Sequence, residues 1–190
     1  MTGIIKVDTI QDNGGTTNIT LNSAGNAKMA GHVVQHVEAK RTSSVTLTSG
    51  VYSDGSTHSE VTECRITFTP KFSDSKLLIT ACADLKFTGG SLGTWVGIRR
   101  DDVALFTGAD NGSNLTNTEG STGKDTFLFV YRSDGGSANH HHTMQRSLLY
   151  DAASTNAQVF KFMFARFSNT GTSALGAWGP TTLSITEIAQ

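Results

Sequence analysis

Apolar and polar residues alternate one by one along most of this chain, and the alternation is interrupted at short intervals by Gly, Asn, Asp and Ser. A period of two marks strands that are buried on one side and wet on the other. From His32 onward such segments follow one another regularly. Val33, Gln35 and Val37 alternate with His32, Val34, His36 and Glu38, and Val45-Thr46-Leu47-Thr48 leads to Gly50. Cys64, Ile66 and Phe68 share one face of a strand that Pro70 ends. Leu77, Ile79, Ala81, Ala83 and Leu85 line one face of the next, with Lys76, Leu78, Thr80, Cys82 and Asp84 on the other. Two further segments, 95–99 and 103–106, are separated by Arg100-Asp101-Asp102, which has the length and polarity of a hairpin turn. Residues 127–131 and 147–150 are short strands, with polar loops at 53–59, 108–124 and 133–142. Phe160, Phe162 and Phe164 fall on one face of a strand whose other face carries Val159, Met163 and Phe167, so it is buried on both sides. Leu183, Ile185 and Ile188 form the last strand. The succession predicts an all-β fold, a jelly-roll-like sandwich of two sheets over residues 32–190.

Residues 1–31 follow a different pattern. Ile4, Ile5, Val7 and Ile10 precede the turn Asp12-Asn13-Gly14-Gly15, and Thr17-Asn18-Ile19-Thr20-Leu21 leads into Asn22-Ser23-Ala24-Gly25-Asn26. Two short strands with so few large apolar residues have no core of their own. The segment is expected to be an extended N-terminal arm, with Ile5, Val7 and Ile10 as its attachment side, covered by another chain or a larger assembly.

Composition narrows the function classes. A charged fraction of 16% and a net charge of −1 leave no long-range field to draw in a phosphate backbone, so nucleic acid is not an expected partner. No stretch has the roughly 18 apolar residues that span a bilayer, so membrane insertion is not expected either. Cys64 and Cys82 are too far apart for a zinc ribbon or a redox motif and are expected to be buried free thiols.

Candidate chemistry is sparse, and no cofactor is implied. Gly89-Gly90-Ser91-Leu92-Gly93 fits a nucleophile-elbow pattern, but a strand follows where that motif needs a helix, so it is read as a turn. Asp101 and Asp102 are read as solvated turn charges. Asp110-Asn111-Gly112-Ser113-Asn114, with Glu119 near, offers hard oxygen ligands without the acidic density of a calcium loop. His140, His141 and His142 are the most unusual local feature. Adjacent residues of an extended chain point in opposite directions, so one chain aims at most two imidazoles at one ion, whereas a trimer could gather three or six on its axis. An exposed polar loop is the competing reading. Trp178, within Gly176-Ala177-Trp178-Gly179-Pro180, is the aromatic best placed to stack on a sugar ring. With Asp110, Asn111, Asn114 and Asn139 it makes up the expected receptor-binding loops.

Two terminal motifs carry a resemblance. Ile5-Lys6-Val7-Asp8-Thr9-Ile10-Gln11-Asp12, followed by Gly14-Gly15 and Ser23-Ala24-Gly25-Asn26, resembles the N-terminal signature of tail-fibre and related virion proteins of marine bacteriophages, cyanophages especially. Thr182-Leu183-Ser184-Ile185-Thr186-Glu187-Ile188-Ala189-Gln190 is similar to the last strand of those proteins. Thr69-Pro70, Ser75-Lys76-Leu77-Leu78-Ile79 and Gly97-Ile98-Arg99-Arg100-Asp101 resemble the family's C-terminal β-domain more weakly.

The resemblance implies a homotrimeric β-sandwich head, similar in layout to the globular heads of complement and tumour-necrosis-factor proteins. An N-terminal segment would fix it to other virion proteins. It implies a non-enzymatic virion component, assembled in the host cytoplasm, that acts as a tail fibre or fibre tip and adsorbs to a host surface glycan or protein. Family members usually carry a shaft of repeats that is missing here, which leaves a capsid-decorating or head-fibre protein as the alternative. A glycan depolymerase would need paired carboxylates in a groove, and no such pair stands out.

Overall fold

The computed structural model describes residues 9–11, 14–15, 17–21, 25–47, 59–88, 92–105, 128–132, 140–166, 172–176 and 178–190. The described part of the arm contains β1 (Thr9–Gln11), β2 (Thr17–Leu21) and β3 (Ala27–Lys28). Next come β4 (Val33–Arg41), β5 (Val45–Leu47), β6 (Ser59–Glu60), a 3-10 turn at Thr62–Cys64, β7 (Ile66–Phe68) and β8 (Lys76–Thr88). The chain continues through β9 (Leu92–Arg100), β10 (Val103–Ala104), β11 (Leu128–Arg132) and β12 (His140–Asp151). It closes with β13 (Gln158–Arg166), β14 (Thr172–Leu175) and β15 (Thr181–Ile188).

Several of these strands lie end to end. One edge of β8 is taken along its length by β12, so β15, on Lys76–Cys82, and β14, on residues 85–88, share the other edge. β4 and β5 extend that pair outward, on β15 and β14 respectively. In the second sheet β13 occupies one edge of β9 and β10 and β11 the other, while β6 and β7 share the far edge of β13. Among the described residues each sheet therefore has four columns, all antiparallel. Numbered by chain order, the columns run 1-8-3-6 in one sheet and 5-4-7-2 in the other, which is the strand order of a jelly roll. The expected two-sheet sandwich is the fold observed.

The alternation in the sequence sets which side chains meet between the sheets. Leu77, Ile79, Ala81, Ala83 and Leu85 of β8 are fully buried, as are Leu183 and Ile185 of β15. They share one cluster with Phe160, Phe162 and Phe164 of β13, Val96 and Ile98 of β9, and Ile66 and Phe68 of β7. Bulky rings from one sheet and alanines from the other fill a single layer, which is how interdigitating sheets reach interior density. Met163 and Ala165, on the opposite face of β13, are also buried, as its two-sided apolar pattern predicts.

The structure departs from expectation at particular places. His140, His141 and His142 do not belong to a polar loop: β12 begins at His140 and pairs with β8 from His140↔Phe87 to Asp151↔Lys76. It is an edge strand whose outward row carries His141, Thr143, Gln145 and Ser147, while His142 and Arg146 fall on the inward row with Met144, Leu148 and Tyr150, so polar residues run along it without interrupting the ladder. The last strand buries Thr181, Leu183, Ile185 and Glu187, not Ile188: the alternation runs unbroken from Thr181, so Glu187 continues the inward row of Leu183 and Ile185 and Ile188 falls on the other face. Glu187 is fully buried and satisfied. Its carboxylate accepts from Lys71 N at 2.9 Å, Phe72 N at 3.0 Å, Ser75 Oγ at 2.7 Å and Gln35 Nε2 at 2.6 Å, and so pins the 69–75 loop. Cys82 is only half-buried, on the outer face of β8. The hairpin turn narrows to two residues, Asp101 (φ 48°) and Asp102 (φ 69°), the positive pair that a type I′ turn requires. Neither acid is merely solvated: Asp101 Oδ1 accepts from Val159 N at 2.8 Å, and Asp102 pairs with Lys161 at 2.5 Å. That ammonium holds the Asp102 carboxyl below its ordinary value.

The arm folds as a three-stranded meander, one strand more than the pattern suggested. It is bonded to the sandwich. Gly31 N donates to Ala189 O at 2.8 Å, Ala189 N donates to His32 O at 3.0 Å, and Lys28 pairs with Asp74 while its ammonium lies over the Phe72 ring.

Candidate functional site

The register of β8 forces one excursion in the sheet. Leu175 of β14 lies opposite Leu85, and Thr182 of β15 lies opposite Cys82. Between these pairs β8 has only Ala83 and Asp84, while the facing chain has residues 176–181. Four residues more than the ladder accommodates must leave it, and they form the turn that displays Trp178.

Asp84 holds that turn. Its backbone carbonyl accepts from Gly176 N at 2.9 Å, and its Oδ2 accepts from Trp178 N at 2.7 Å and Gly179 N at 3.0 Å. Thr143 Oγ1 approaches Oδ1 at 3.4 Å from β12. The carboxylate is 4% exposed, so a buried charge is spent on organising two amide donors of a surface turn. Gly176 is needed where it stands. Its φ is +67°, and a β-carbon there would sit 3.0 Å from Ser43 O.

Trp178 is 77% exposed, the most exposed large apolar side chain among the described residues. Its ring meets His141 of β12 edge-on, with centroids 4.7 Å apart and planes at 63°. His141 lies on the outward row of β12, opposite Lys86 of β8, and Thr143 and Gln145 are the next outward residues. The neighbouring outward positions on β8 and β15 are Cys82 and Thr182. Burial first, and then the negative charge of Asp84, push the Cys82 thiol up. The surface is thus an aromatic corner beside hydroxyl and amide groups.

The other candidates are distributed as follows. His141 and His142 alternate across the strand, His142 opposite Leu85 and His141 on Trp178, so one chain does not aim both at one ion. Among the described residues no group of three or more His, Cys, Asp or Glu side chains is placed to hold a metal ion. Ile10 is half-exposed on β1, and Leu21 and Met29 of the arm are also exposed. Ile5, Val7, Asp110, Asn111, Asn114 and Asn139 lie outside the described residues, as does Gly89-Gly90-Ser91. Asp84 is the functional residue that the pattern did not single out. Its signal is an acid within Ile79-Thr80-Ala81-Cys82-Ala83-Asp84-Leu85, where a charge in a half-buried strand must find donors.

No protein-family model and no curated protein sequence matches the chain. Solved structures of infectious bursal disease virus are similar over most of its length. The Gx strain structure aligns with 86% of the chain at 11% identity and a TM-score of 0.38, and the Gt strain structure with 85% at 12% and 0.36. The VP2 subviral particle of the same virus aligns with 84% at 12% and 0.31. The chain spans under two fifths of the length of these proteins, 38% or 39%. Likeness of this degree assigns neither family nor activity. No helix among the described residues is long and apolar enough to cross a membrane.

Proposed function

We propose that this chain is a non-enzymatic structural protein of a bacteriophage virion, a homotrimeric tail fibre or fibre tip that adsorbs to a host surface. The observation that carries the reading is Trp178, an exposed ring on a turn locked by a buried carboxylate. A rigid sandwich with a large exposed aromatic at a strand junction can change its surface without disturbing its core. Exposed Ile10, Leu21 and Met29 give the arm an apolar side for other virion proteins. The resemblance of the terminal motifs to those of marine phage fibre proteins favours the same role.

The direct bonding of arm to head favours a second reading, a capsid-decorating protein. Gly31 N to Ala189 O and Lys28 with Asp74 seat the head on its own anchor without an intervening shaft.

Adsorption competition tests the proposal. Purified protein, sedimenting as three copies of 20.2 kDa, should block adsorption of the phage that carries it and release no reducing sugar from host polysaccharide. A monomer that leaves adsorption unchanged, or one that cleaves the polysaccharide, contradicts it. Copy number per particle separates the two readings, tens or fewer for a fibre and far more for a decorating protein.

A further inference from the structure

Leaving an indole in water forgoes the gain of burying it, and taking a carboxylate out of water carries a desolvation cost. This fold does both at one place, for a turn whose described residues place no side chain in the core. A turn serving only to connect β14 with β15 needs neither a large ring nor a buried anchor. We infer that Trp178 and His141 form a saccharide subsite in which the C–H face of one pyranose unit stacks on the Trp178 ring, with His141 as the flanking wall.

The chemistry of the surroundings fits a sugar better than a peptide or an anion. A pyranose offers a flat apolar face with hydroxyls around its rim, and an aromatic ring is the complementary platform. Thr143, Gln145 and Thr182, on the rows next to the corner, supply hydroxyl and amide groups of the kind that exchange hydrogen bonds with those hydroxyls. The cations on this face, Lys86 opposite His141 and Lys40 opposite Thr182, stand two strands apart and are too dispersed to define a phosphate or carboxylate site. The backbone of the turn is already fixed at Gly176, Trp178 and Gly179, so binding orders little, which is what weak single-sugar contacts require.

This inference rests on the proposal that the head recognises a host surface, and it names the ligand class. The test is retention of the purified full chain on an array of glucose-, galactose- and N-acetylglucosamine-containing oligosaccharides. Intact host cells serve as a parallel arm. The expected result is retention by at least one saccharide, weakened about tenfold or more in Trp178→Ala and largely kept in Trp178→Phe, with a smaller loss in His141→Ala. The circular dichroism and trimer content of every variant should match the parent, since Trp178 is 77% exposed. Retention equal in parent and Trp178→Ala overturns the inference, and so does the absence of any retained saccharide. In either case the cell arm separates the two claims. Adsorption that survives leaves the surface reading in place through other loops, and adsorption that is absent removes it as well.

Discussion

Replacing Asp84 by Ala removes the acceptor of two amide hydrogen bonds while leaving the strand intact, so the locked turn can be tested apart from the fold. Each hydrogen bond to a charged acceptor contributes about 1.5–3 kcal/mol, which puts the ceiling at about 3–6 kcal/mol for Trp178 N and Gly179 N. The Thr143 contact, at 3.4 Å, adds little. Two effects lower the figure. The freed amides belong to a surface turn and can be rehydrated, and the substitution relieves the desolvation of a carboxylate that is 4% exposed. The expected loss is about 2–3 kcal/mol for Asp84→Ala and about 1 kcal/mol for Asp84→Asn, which keeps one acceptor. Urea unfolding followed by far-ultraviolet circular dichroism measures the loss. Tryptophan emission, taken as the difference between each protein and its Trp178→Phe counterpart, reports the ring itself. Contact with His141 at 4.7 Å should be lost as the turn loosens, so the Trp178 component should brighten and shift to the red. A stability change under about 0.5 kcal/mol together with unaltered Trp178 emission would refute the claim that Asp84 locks the turn.

Three further outcomes are expected. Ala153 sits at φ 56° on an exposed stretch between β12 and β13, so Ala153→Gly should raise the urea midpoint by a stabilisation of about 0.5–1 kcal/mol, and a fall in midpoint would contradict the strain. Burial pushes the fully enclosed Cys64 thiol up to about 11, whereas Cys82 is half-buried, so at pH 8 an aromatic disulfide reagent should titrate Cys82 slowly and Cys64 only in denaturant. Rapid native reaction at Cys64 would be inconsistent with the core described. The Arg65 guanidinium binds Glu60 through two bonds, of 2.5 and 2.6 Å, and holds its carboxyl below the ordinary 4.5. A lowered folded-state value contributes stability that is complete above 4.5 and is lost as the pH falls through the folded value. Acid unfolding curves of the parent and Glu60→Gln should therefore converge below that range and differ by under about 1 kcal/mol at neutral pH, the pair being screened by solvent. A constant difference across the whole range would show that Glu60 acts by packing alone.

The sandwich was legible because alternation is a direct record of burial. Every second residue from Leu77 to Leu85 faces the opposite sheet, and the Phe160, Phe162 and Phe164 stripe marks the central strand of the other. Strand extents were less legible. β12 reads as a loop at its start because a wet edge strand is free to be polar, and its pairing with β8 is a long-range fact that no local pattern contains. Glu187, not Ile188, continues the inward row of Leu183 and Ile185 because the period of two holds to the end of the strand, and four donors from distant segments compensate the buried acid. The candidate site was half legible. Trp178 is recognisable as an aromatic between turn residues, but its lock lies at Asp84 and its wall at His141, which meet it only across the sheet.

Imaging of intact phage particles by electron cryomicroscopy asks most directly whether this head is an adsorption surface. We expect three sandwiches about one axis, arms toward the particle and the 176–180 turn facing outward, unobstructed. A particle without the chain, or one in which that turn is sealed against the shell, would contradict it.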